Sequence, residues 1–73
     1  MKQSERRERF KRVAEARTNK IIKLIQLLSN CSNRSAYAYE DSEIRQIFSA
    51  IEAEVRAART KFNERKENKF SLG

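Results

Sequence analysis

The chain is predicted to be all-α, an antiparallel hairpin of two long helices that pairs with a second copy into a four-helix bundle. Three observations predict this. The strongest helix breakers are missing from the interior, because there is no proline and the one glycine is Gly73. Ala, Leu, Lys, Arg, Glu and Gln dominate two stretches separated by a short polar segment. Each stretch carries an apolar stripe with the same spacing.

The first helix is placed at about 4–29, with Ser4 as its N-cap, and a bend follows over 30–40. Asn30, Ser32, Asn33 and Ser35 end it there, since their short polar side chains compete for backbone hydrogen bonds. Tyr37-Ala38-Tyr39 alternates too briefly to form a sheet. The second helix is placed at about 41–67, with Asp41 or Ser42 accepting a bond from an orphan N–H, and residues 68–73 form a frayed tail. An alternative fold is a three-element bundle in which part of the bend is a short helix.

The two stripes match. Phe10, Ala14, Arg17, Ile21, Leu24 and Leu28 are separated by 4, 3, 4, 3 and 4 residues, as are Ile44, Phe48, Ile51, Val55, Ala58 and Phe62. In an antiparallel arrangement a single register pairs Phe10 with Phe62, Ala14 with Ala58, Arg17 with Val55, Ile21 with Ile51, Leu24 with Phe48 and Leu28 with Ile44. The apolar residues between Ile21 and Leu28 cover more than half of the first helix's circumference, so one neighbour leaves part of them bare. A second chain docking on Ile22, Ile25 and Leu28 is the expected remedy, with Tyr37 and Tyr39 folding back over Ile22 and Ile25 as the monomeric alternative. Arg17 interrupts its stripe. Either its stem packs while the guanidinium reaches solvent or Glu54, or it sets dimer register or meets an anionic partner.

Composition excludes several classes of function. At 73 residues, 38% hydrophobic and 37% charged, the chain is one domain with a thin or shared core. The apolar cluster 21–28 is broken by Lys23 and Gln26, far short of the roughly 20 residues of a membrane span. No apolar segment with a cleavage site follows the cationic start, and a cytoplasmic location is expected. With no histidine and a lone Cys31, no internal disulfide, Cys/His zinc site or His-based acid–base pair is available. No Gly-rich phosphate loop is present either. The expectation is a non-enzymatic protein with no catalytic residue, cofactor, metal or small-molecule substrate.

The charge of +7 is uneven. In the hairpin, residues 1–12 and 59–73 meet at the open end, with eleven Lys and Arg against four Glu. The bend end carries six of each sign. Arg6 and Arg7 oppose the dipole of the first helix, so local helix stability does not account for them. The expected contact residues for nucleic acid or an acidic protein are Arg6, Arg7, Arg9, Lys11, Arg12, Arg59, Lys61, Arg65 and Lys66. Contacts to nucleic acid would be backbone-led, since no exposed aromatic cluster, helix-turn-helix or N-terminal strand is available to read bases. The competing expectation is a protein adaptor or self-associating structural protein, with Tyr37, Tyr39 and Arg34 on the bend as a second recognition surface.

The segments RFKRVAEARTNKII (9–22), LLSNCSN (27–33), YAYED (37–41) and IFSAIE (47–52) resemble small proteins encoded in Gram-positive conjugative elements. The resemblance spans about 9–62. It implies an accessory role in a mobile element and assigns no catalytic or binding residue. In architecture alone, a dimer of helical hairpins is similar to plasmid copy-number regulators of the Rop family, which bind paired RNA loops, although no motif is shared.

Overall fold

The computed structural model describes residues 2–67, with side chains over 3–63. Helix α1 runs Lys2–Ser29, a short 3₁₀ turn covers Asn30–Ser32, and helix α2 runs Asp41–Glu67. No strand occurs among the described residues. The chain divides into two units, Met1–Ala38 and Tyr39–Gly73. At about 1.5 Å per residue the helices are roughly 42 and 40 Å long. The tail expected at 68–73 lies outside the described residues.

In the first unit, α1 starts two residues before the expected position, and Ser4 lies inside the first turn rather than at the N-cap. Lys2 and Gln3 are good helix formers, and nothing at their positions stops propagation. The other end falls at Ser29, as expected. The Ser29 hydroxyl donates back to the Ile25 carbonyl at 3.2 Å, a local bond that competes with continuation of the helix. Many helices stop on a left-handed glycine, which is unavailable here, and no described residue takes a positive φ. The chain tightens into the 3₁₀ turn and leaves through Asn33, which is extended at φ −69° and ψ 104°.

Asn33 organises the bend. Its carbonyl accepts from the amides of Ala36 and Tyr37 at 3.1 and 3.0 Å. Its side-chain Oδ1 accepts from the Ser35 amide at 3.0 Å, forming an Asx turn. The short helical piece weighed as part of an alternative fold is therefore a three-residue 3₁₀ turn, and the bend is an ordered polar loop.

In the second unit, α2 begins at Asp41 with Glu40 at the N-cap position. The Glu40 carbonyl accepts from the Ile44 amide at 3.3 Å, and the Glu43 carboxylate reaches back to the Glu40 amide at 2.8 Å. This is the returning half of a capping box, supplied by the third helical residue, where the sequence pointed to Asp41 or Ser42. Asp41 and Glu43 also place negative charge in the first turn, where the helix dipole favours it. A Glu43→Ala variant is expected to destabilise α2 by about 0.5–1 kcal/mol. Amide exchange should speed up over residues 40–44, whereas unchanged exchange there would show that this bond contributes nothing.

No described residue is buried. Of the residues expected to line the apolar seam, Phe10 is 56% and Phe62 65% exposed, and Ile21, Leu24, Phe48 and Val55 are also open to solvent. Val13, Ala14, Leu28, Tyr39, Ile44 and Ile51 are half-buried. On each unit the residues of the expected seam are thus half-buried or exposed.

Candidate nucleic-acid interface

The two units differ in charge in a way that follows from their sequences. Met1–Ala38 contains ten Lys and Arg against three Glu, and Tyr39–Gly73 contains seven of each sign. The whole excess of seven therefore belongs to the first unit. Within it, Arg6, Arg7, Arg9, Lys11 and Arg12 all stand on α1 and are exposed. On α2, Arg59 and Lys61 are exposed, and Arg65 and Lys66 fall in the helix at positions whose side chains lie outside the described range.

The two helices differ at their first turns. On α2 the first turn is acidic, as the dipole favours, and the last turn holds Glu64, Arg65, Lys66 and Glu67, with no net charge. On α1 the arrangement is reversed. Lys2, Arg6 and Arg7 crowd the first two turns, Glu5 is the one acid of the first turn, and the last turn has no basic residue at all. A cation in the first turn costs roughly 0.3–1 kcal/mol, and the effect fades beyond it, where Arg6 and Arg7 stand. Glu5 with Arg9 and Glu8 with Arg12 sit one turn apart and recover about 0.2–0.5 kcal/mol each. Arg6 and Arg7 have no acidic residue three or four positions away on either side. Helix stability therefore gives no reason for the density of cations at the start of α1.

The apolar part of α1 lies further along the same helix. Ile21, Ile22, Leu24, Ile25 and Leu27 are exposed, and Leu28 is half-buried. Ile22 and Ile25, expected to receive a second chain, are 47% and 42% exposed, and Tyr37 is itself 52% exposed. Neither isoleucine is covered. On the bend, Tyr37 and Cys31 face solvent and Tyr39 is half-buried.

Among the described residues no group of three or more His, Cys, Asp or Glu side chains is placed to hold a metal ion, and no helix is long and apolar enough to cross a membrane. Depressions beside Glu52, Val55, Arg56 and Arg59, and beside Ser4, Glu5, Glu8, Arg9 and Arg12, are open grooves along single helix faces. No family model, curated protein or solved structure matches the chain.

Proposed function

We propose that this chain is a non-enzymatic interaction module that binds the phosphate backbone of nucleic acid through its cationic end. In the proposed assembly the two stripes pair as an antiparallel hairpin, and two hairpins join through Ile22, Ile25 and Leu28. Arg6, Arg7, Arg9, Lys11 and Arg12 then share one tip with Arg59, Lys61, Arg65 and Lys66. An accessory role in a mobile element fits a small protein of this kind.

The observation that carries the reading is the density of exposed cations near the start of α1, where Arg6 and Arg7 have no acidic residue one turn away. Cations without such partners are open to an external anion. Polyphosphate supplies the densest one, and a cluster of exposed Arg and Lys gains affinity there by releasing condensed counterions, with no base contact required.

The test is a titration of the chain with generic duplex and single-stranded oligonucleotides across a salt series. Affinity falling steeply with salt is the expected result. No binding at about 50 mM salt would leave the protein-adaptor reading in its place.

A further inference from the structure

We infer that the phosphate-binding surface is one face of α1, formed by Arg6, Arg9, Arg17 and Lys20, and that it continues well past the cationic tip. This rests on the nucleic-acid reading and extends it to Arg17 and Lys20, which the tip does not include.

Helix α1 is continuous over Lys2–Ser29, so positions along it can be compared directly. At 3.6 residues per turn, Arg6, Arg9, Arg17 and Lys20 fall within about 80° of one another around the axis. Val13, which is half-buried, stands in the same sector between them. Glu5, Glu8 and Glu15 occupy a separate sector centred about 120° away. No acid falls within the face, all four of its charged side chains are exposed, and although Glu5 at its edge stands one turn before Arg9, Arg17 and Lys20 have no acid three or four positions away. Arg6 and Lys20 are fourteen positions apart, a rise of about 21 Å, which equals roughly six base pairs at 3.4 Å each.

The distribution of apolar residues favours nucleic acid over a lipid surface. An interfacial helix separates apolar and cationic residues around its circumference, so that one side enters the membrane and the other stays wet. On α1 the separation runs lengthwise. Arg6 and Arg17 lie on the same side as Leu24 and Leu28. Immersing that side would bury two guanidinium groups, whereas at the rim of the seam they meet a phosphate backbone while the apolar residues stay packed. Packing of the Arg17 stem against an apolar neighbour is compatible with this, because its long side chain still delivers the charge to the edge of the face.

The second unit, with equal numbers of each sign, provides a control. Arg45 and Arg56 are exposed on α2 and each has an acid one turn before it, Asp41 and Glu52 respectively. A double variant Arg17→Gln, Lys20→Gln and a double variant Arg45→Gln, Arg56→Gln have the same net charge, and glutamine keeps helix propensity close to that of the residues replaced. Both are compared with the unaltered chain by titration with a generic duplex between about 50 and 200 mM salt, with circular dichroism confirming equal helix content. For the α1 pair the slope of log affinity against log salt should flatten by about 1.8, with affinity at 0.1 M salt falling roughly 10–100-fold. The α2 pair should keep the original slope, since charges off the contact face act across about a 10 Å screening length.

Equal flattening in both pairs, or none in the α1 pair, would overturn the α1 face while leaving the wild-type titration to support binding at the tip. Failure of the unaltered chain to bind the duplex, with sedimentation instead on phosphatidylserine vesicles, would overturn both the face and the nucleic-acid reading.

Discussion

Replacing Ile22 and Ile25 together with aspartate is expected to abolish self-association. The two side chains are a little under half exposed, so a partner removes roughly 0.7–1.5 kcal/mol worth of apolar surface from water at each. A symmetric dimer contains four such positions and stands to lose about 3–6 kcal/mol, which weakens the dissociation constant roughly 10²–10⁴-fold. A carboxylate facing a second carboxylate across the symmetry axis adds to the loss. Sedimentation equilibrium at micromolar concentration should show the unaltered chain as a dimer and the variant as a monomer. Equal masses, at whichever value, would remove Ile22 and Ile25 from the interface. The monomer should keep part of its helix content, since α1 and α2 have 28 and 27 residues and exceed the length at which isolated helices become marginal.

The second large effect concerns salt. If about six phosphates are neutralised, the slope of log affinity against log salt for duplex DNA is near −5, because each contact contributes about −0.9. Raising salt from about 50 to 200 mM should then weaken binding roughly 10³-fold. Single strands should give a shallower slope, near −0.7 per contact. Sequence should have little influence, because in the proposed hairpin Phe10 and Phe62 pack in the seam and neither long helix is a separate recognition helix. A slope near zero would mean that the cations of α1 do not meet phosphate.

The residues differ in how openly they declare their roles. The end of α1 at Ser29 and the start of α2 at Asp41 were legible because long runs of helix formers stop at short polar residues, and local propensity is strong enough to decide that. The cap of α2 was not legible in the same way. Attention to side chains able to accept an N–H singles out Asp41 and Ser42, whereas the bond that forms runs backwards from Glu43 to the Glu40 amide. The 3₁₀ turn at Asn30–Ser32 follows from the lack of a glycine to end α1 in a left-handed residue.

The candidate site was legible in part. Arg6, Arg7, Arg9, Lys11 and Arg12 stand out through their density. Arg17 drew attention as an interruption of the apolar stripe and a candidate contact for an anionic partner, but not as part of a charged row, and Lys20, flanked by Asn19 and Ile21, did not stand out at all. Their alignment with Arg6 and Arg9 emerges once α1 is taken as a single helix from Lys2 to Ser29 and its charges are weighed apart from those of α2. Grouping the charge by the two ends of a hairpin conceals that contrast.

In the proposed hairpin the two stripes pair so that Ala14 stands opposite Ala58, and disulfide trapping measures this directly. In a Cys31→Ser background, an Ala14→Cys, Ala58→Cys variant should oxidise within one chain under mild conditions, since bridging requires Cα atoms roughly 4.4–6.8 Å apart. A control with Ala14→Cys and Ala50→Cys, about 12 Å away along α2, should not close. A monomeric, oxidised product of the first variant alone is the predicted result; closure of neither pair, or links formed only between chains, would contradict the hairpin.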